Sequence, residues 1–240
     1  TSPCIDAGDP DYSVLDETVP NGKRINMGAF GGTAQASLSP MPALAHWRFD
    51  ETSGNRTFDS LGHRDGTVYG ATWTDGVLDG ALDFDGADDY VDFGNSSELV
   101  PDAMTLSLWI HPEILKGFVV HKSGTGAYDK DYELSLSTSG IKVAIGGVGE
   151  YTNLRSNTKV SANEWSHIAF SYGEGVFSVY INGVLDASKT YDFTLIDKRH
   201  ALSIGCGNTT KQFMGKIDNI KIYGMVLSED KVLDLFKEGQ

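Results

Sequence analysis

Polar and apolar positions alternate along most of this chain beyond residue 43, and that alternation sets the fold class. In Met104-Thr-Leu-Ser-Leu-Trp-Ile110, Met104, Leu106, Leu108 and Ile110 point one way. The same period of two runs through Tyr132, Leu134 and Leu136, then Ile141, Val143 and Ile145. It recurs in Ile168, Phe170 and Tyr172, in Phe177, Val179 and Ile181, in Leu202, Ile204 and Cys206, and in Ile220 and Ile222. Successive side chains of a strand point to opposite faces, so each run predicts a strand with one buried face. Asn182-Gly183 joins Val176–Ile181 to Val184–Lys189, and this dipeptide tolerates the positive φ angles of a type I′ hairpin. About a dozen such strands, with turns every 8–12 residues, predict an all-β, antiparallel, two-sheet sandwich or barrel. A helical period fits only Ser228–Lys237, where Ser228 is placed to cap and acids fill the first turn.

The pattern breaks near residues 36–43, at the two-proline stretch Ala36-Ser-Leu-Ser-Pro-Met-Pro42. We therefore expect a small N-terminal extension over 1–38, a linker over 39–43 and one β domain over 44–240. The chain starts Thr1-Ser-Pro3, without initiator Met or apolar leader, and reads as the continuation of a longer secreted or cell-surface protein. With 28 Gly and 7 Pro in 240 residues, turns are plentiful. No apolar run approaches the roughly 18 residues that span a bilayer, so no membrane insertion is expected. There are 33 acidic against 19 basic residues, a formal charge of −14, and no run of Lys/Arg that would mark a nucleic-acid surface. Cys4 and Cys206 fall in different modules; a disulfide between them has no support in the sequence, and two buried free thiols are the expectation.

Several segments, taken in order, resemble the bacterial laminin-G-like family of the concanavalin A-like jelly roll. They are Leu44-Ala-His-Trp-Arg-Phe-Asp-Glu, Gly80-Ala-Leu-Asp-Phe-Asp-Gly86, Asp89-Tyr-Val-Asp-Phe93, Trp165-Ser-His-Ile-Ala-Phe-Ser-Tyr172, Val179-Tyr-Ile-Asn-Gly183 and Gly215-Lys-Ile-Asp-Asn-Ile-Lys-Ile-Tyr223. The resemblance covers residues 43–237 and implies a jelly-roll sandwich with a short C-terminal helix. Separately, Ser2-Pro-Cys-Ile-Asp-Ala-Gly8 and Asn26-Met-Gly-Ala-Phe-Gly-Gly-Thr33 resemble the closing coil of bacterial right-handed parallel β-helix proteins. That would make residues 1–38 the remnant of an upstream domain, a partner within the same polypeptide.

Candidate chemistry falls into three groups. For catalysis, nucleophile-elbow, zincin, Cys-x-x-Cys and phosphate-loop motifs are absent. Also absent is a Glu-x-Asp-x-Glu strand that would set an acid and a nucleophile about 5 Å apart, so no enzyme is expected. For metal, alternation places Asp218 beside Ile220 and Ile222 on an inward face, where a carboxylate needs a neutralising partner. The loop from Asp50 to Asp65 is rich in acids and small residues. The laminin-G-like resemblance implies a structural Ca²⁺ there, held by Asp59 and Asp218 with Asp50 and Glu51. A rival site is the acidic turn Asp83-Phe-Asp-Gly-Ala-Asp-Asp89 with Asp92, which reads better as a tight turn between two strands. For carbohydrate, aromatic faces and planar hydrogen-bonding groups are needed. The loop-like stretches 121–132 and 149–155 supply His121, Lys122, Tyr128, Tyr151, Asn153 and Arg155. The expected function is a non-catalytic glycan-binding accessory module of a larger extracellular bacterial protein. A spacer or protein-interaction domain without a sugar site is the alternative, and a cryptic lyase or hydrolase the third reading.

Overall fold

A computed structural model describes residues 43–124, 126, 128–205 and 211–240. The expected β-helix remnant, most of the expected linker and both cysteines lie outside the described residues. Among these residues sixteen strands, a short 3-10 turn at Ser97–Leu99 and one α-helix follow in order. They are β1 (Ala45–Trp47), β2 (Arg56–Thr57), β3 (Gly66–Tyr69), β4 (Thr72–Asp75), β5 (Gly80–Asp85), β6 (Tyr90–Asp92), β7 (Met104–Pro112) and β8 (Lys116–Ser123). Next come β9 (Lys130–Ser137), β10 (Gly140–Gly146), β11 (Tyr151–Arg155), β12 (Ser166–Gly173), β13 (Val176–Ile181), β14 (Val184–Thr190), β15 (Ser203–Ile204), β16 (Met214–Tyr223) and α1 (Glu229–Lys237).

The strands form two antiparallel sheets. One runs β14-β13-β12-β7-β16-β5-β4, with β1 also on β16; the other runs β11-β10-β9-β8-β15-β6-β3-β2. The inner faces meet in one core. Every described apolar residue that the alternation assigned to an inner face is buried there, from Met104 and Leu106 to Ile220 and Ile222. This is the all-β sandwich expected. The Asn182-Gly183 turn has φ of 51° and 78°, as a type I′ hairpin needs. The acidic turn after β5 does not close a hairpin: β5 belongs to one sheet and β6 to the other, so the chain crosses between layers there.

Helix α1 starts as read, with the Ser228 side chain accepting from Lys231 N at 3.4 Å. It lies on the outer face of the first sheet, where Phe236 stacks on Trp109 at 5.6 Å between centroids. Beside that contact His167 is fully buried, its Nε2 2.7 Å from Ser107 Oγ.

One strand departs from strict alternation. In β16 the pairing with β7 slips between Asp218 and Lys221, and Asn219 takes φ 50°. Ile217 and Ile220, three apart, both enter the core. The extra residue of this bulge turns Asp218 away from Ile220 and Ile222, correcting the expectation from simple alternation. Asp218 instead lies opposite Trp109, on the outer side of the sheet, and is nevertheless fully buried.

Candidate functional site

The outer face of the second sheet carries a groove of about 730 Å³ across β8, β9, β10 and β11. Register explains which side chains meet there, since residues directly opposite share a face. Phe118 pairs Ser135, Ser135 pairs Lys142, and Lys142 pairs Arg155. A second rung runs His121, Glu133, Ala144 and Asn153. Gly146 pairs Tyr151, whose ring meets Tyr128 edge-on at 5.6 Å. Both tyrosines are exposed.

The polar groups are ordered by their neighbours. Lys130 Nζ donates to Glu133 Oε2 at 2.8 Å, and Ser123 Oγ donates to the same oxygen at 3.1 Å. Arg155 Nη1 donates to Ser137 Oγ at 2.9 Å. Burial pushes the His121 imidazole below its ordinary range, against the nearby Glu133 charge, so it is neutral at pH 7. Phe118 packs edge-on against His121 at 5.0 Å, and Lys211 Nζ sits 5.6 Å from the Phe118 ring centre.

Of the sugar-site residues expected from sequence, His121, Tyr151 and Arg155 line this groove. Asn153 is exposed on the same face of β11, and Tyr128 reaches it through Tyr151. Lys122 does not belong: it pairs Tyr132 on the inner side of β8 and is fully buried. Its Nζ is 3.0 Å from Asp131 Oδ2, 3.5 Å from Asp197 Oδ1 and 2.6 Å from His200 O. The stretches read as loops are largely strand, namely the end of β8, the start of β9 and β11. Sequence reasoning missed Lys116, Lys130, Lys142 and Lys211, which also line the groove. A basic cluster absent from the linear sequence is therefore assembled by strand pairing.

The four expected calcium ligands divide into two pairs. Asp218 Oδ2 accepts from Val77 N and Leu78 N, each at 2.9 Å, while Asp50 Oδ1 accepts from Gly80 N at 3.0 Å. Both carboxylates thus hold the turn between β4 and β5. A Cβ at Gly76 would collide with Gly80 O and with Asp218 Oδ2, so that turn needs glycine there. Glu51 Oε1 accepts from Phe58 N at 2.7 Å; Asp59 Oδ1 accepts from His46 N at 2.9 Å and Leu61 N at 3.1 Å. The second oxygens of Glu51, Asp59 and Asp218 are buried with no hydrogen-bond partner. Burial raises the Asp218 carboxyl to about 7, against the pull of its amide donors. Among the described residues, three acids with oxygens within 4.8 Å of one another occur at Asp85, Asp88 and Asp89. These belong to the rival turn, but there Asp89 Oδ2 accepts from Asp85 N and Asp85 Oδ1 from Ala87 N, both at 2.8 Å, as in an ordinary acidic turn.

A two-layer antiparallel jelly roll with an open groove on one sheet defines the concanavalin A-like class of fold. A sequence profile of the laminin-G type, described as the concanavalin A-like lectin/glucanases superfamily, matches residues 85–233, and the chain belongs to that family. No curated protein matches the chain. Among solved structures, it is similar to domain 4 of AbnA, a GH43 extracellular arabinanase from Geobacillus stearothermophilus, in complex with arabinotriose. That match has 26% identity and a TM-score of 0.66, covering 80% of this chain and 97% of the other. The binding domain of Paraclostridial Mosquitocidal Protein 1 matches with 18% identity and a TM-score of 0.67 over 82% of this chain and 52% of that one. Trypanosoma rangeli sialidase, in complex with the inhibitor DANA, matches with 16% identity and a TM-score of 0.63 over 82% and 33%. The last two likenesses show the fold alone. The chain spans about half the length of the toxin binding domain. Among the described residues no helix is long and apolar enough to cross a membrane.

Proposed function

We propose that this chain is a non-catalytic carbohydrate-binding module of a larger extracellular protein, and that the groove over β8–β11 is its sugar site. The observation that carries the reading is the grouping of exposed aromatic rings, Tyr128 and Tyr151, with the planar and hydrogen-bonding groups of Arg155, Asn153 and His121 on one sheet face. Aromatic faces take sugar C–H groups while such polar groups fix orientation. The AbnA domain, itself part of an extracellular arabinanase and bound to arabinotriose, supports the reading. Glycoside hydrolysis uses two carboxyl groups, and the described lining offers one, Glu133, already paired with Lys130. Affinity electrophoresis of the 240-residue chain over a glycan panel tests the proposal. Tyr151→Ala should weaken binding about tenfold, the loss of roughly one stacking contact, without changing the melting temperature. An unchanged affinity would remove the groove from consideration.

The same reading includes a structural Ca²⁺. Partnerless buried carboxylate oxygens suit a hard, oxygen-seeking cation. Asp218 has such an oxygen, and Asp50, bound to the same turn between β4 and β5, is the acid that would join it around the ion. Asp59 and Glu51 bind a separate stretch of backbone and are less suited to the same ion. The ion would neutralise Asp218 and fix that turn. Calcium should raise the melting temperature and chelator lower it. Asp218→Asn should abolish the calcium response while keeping the fold.

A further inference from the structure

We propose that the groove takes an acidic polysaccharide, one whose sugars carry carboxylate or sulfate groups, and not a neutral one. This rests on the groove being the sugar site. The chain as a whole carries a formal charge of −14, yet the groove gathers Lys116, Lys130, Lys142, Arg155 and Lys211 around a single carboxylate, Glu133. Lys130 cancels that carboxylate at 2.8 Å. Lys116, Lys142, Arg155 and Lys211 have no carboxylate partner among the described residues.

The register adds a second and independent observation. Lys142 and Arg155 are directly opposed across β10 and β11. Facing side chains on neighbouring strands are about 5 Å apart, and like charges so placed repel. Among the described residues neither is ion-paired, and the nearest acid by register, Glu133, lies diagonal to Lys142 and is already bound by Lys130. An anion between the two relieves the repulsion and receives charge-assisted hydrogen bonds from both. The guanidinium of Arg155 presents a planar fork to a carboxylate or sulfate, and Lys142 supplies a point charge on the same rung. Tyr151 and Tyr128 lie along the same groove, where sugar rings stack while their acidic groups reach the cations. Bulk repulsion from the remaining surface disfavours polyanions that cannot use the groove.

The test is a binding panel on the full chain. Polygalacturonate supplies carboxylate, dextran sulfate supplies sulfate, and dextran and arabinan are neutral; single-stranded DNA is a non-sugar polyanion. The expected result is binding to polygalacturonate, dextran sulfate or both, weakening as salt approaches about 1 M, where charges are screened within about 3 Å. Dextran and arabinan should bind at least about tenfold more weakly. Lys142→Gln and Arg155→Gln should each reduce affinity for the acidic glycan at least about tenfold with unchanged melting, as expected for loss of one charge-assisted contact. Lys231→Gln, on α1, should have no effect. Binding to neutral glycans of equal or greater strength overturns the acidic preference and leaves the sugar site standing. Binding to no glycan overturns both, and preference for DNA over every glycan does the same. An equal loss in Lys231→Gln shows diffuse attraction and also overturns the proposal.

Discussion

His167 lies under α1 beside the stacked Trp109 and Phe236, with ring centroids at 5.3 and 6.1 Å. Burial, aided slightly by Lys221, lowers its pKa from 6.5 to about 3. In the unfolded chain the ring takes up a proton as pH falls through 6.5; in the folded chain it resists until about 3. Its contribution to stability is therefore complete above pH 6.5 and is lost progressively as pH falls from there toward 3. His46 and His121, also lowered by burial, act in the same direction. Asp218, raised from 3.8 to about 7, acts in the opposite sense when no cation is bound, since its ionisation is easier once unfolded. The informative quantity is consequently a difference. Between pH 6.5 and 4, His167→Gln should lose less melting temperature than the parent, as read by calorimetry. A parallel pair of curves would refute the buried neutral ring.

At the scale of elements, the hairpin between β13 and β14 is held by conformation and by packing. Gly183 has φ 78°, and a Cβ there would come within 3.0 Å of Leu233 Cδ1 and Phe236 Cβ on α1. Gly183→Ala should cost about 1 kcal/mol from backbone strain, with more from crowding the helix, measurable as a lower urea midpoint. The Lys122–Asp131 pair joins β8 to the segment around residue 197, because Asp131 Oδ1 also accepts from Lys198 N at 2.9 Å. Lys122→Ala leaves a buried carboxylate without its cation and should cost about 3–5 kcal/mol. Hydrogen exchange should rise first over residues 195–200. These elements differ in how far the sequence revealed them. Hairpin, helix and cap were legible, since each is governed by residues close in sequence. The β16 bulge was not: Asp218-Asn219 continues an apparent alternation, and only the demands of β1, β5 and β7 on the same strand force the extra residue. Lys122 was misread for a related reason, because a basic residue near a predicted loop gives no sign of an acid waiting inside.

For the molecule as a whole, alternation fixed an antiparallel β fold with one buried face per strand but left sandwich and barrel open, and the family resemblance pointed to the two-layer jelly roll. The groove was only half legible. Tyr151, Asn153 and Arg155 were picked out together but as residues of a loop, and it is strand β11 that sets them, two apart, on one face. Lys116, Lys142 and Lys211 join them only through pairings across β8–β11 and through the loop before β16, which no local pattern encodes. The same dependence on distant pairing bears on folding. β1 meets β16 late in the chain, with His46 Nε2 and Asn219 Oδ1 at 2.6 Å although 173 positions apart. Such closure is entropically slow, and refolding followed by tryptophan fluorescence should take about milliseconds to seconds or longer, not microseconds.

That pairing also settles how the domain would answer a pull. Ala45 lies against Ile222 and Trp47 against Ile220, so the outer end of the first strand sits beside the outer end of the last. Tension applied at Ala45 and Tyr223, once α1 has been peeled away, would open these rungs one after another, as a zip opens, instead of shearing them all together. Under such a load the seam opens before the groove, which lies on the opposite sheet and out of the line of force.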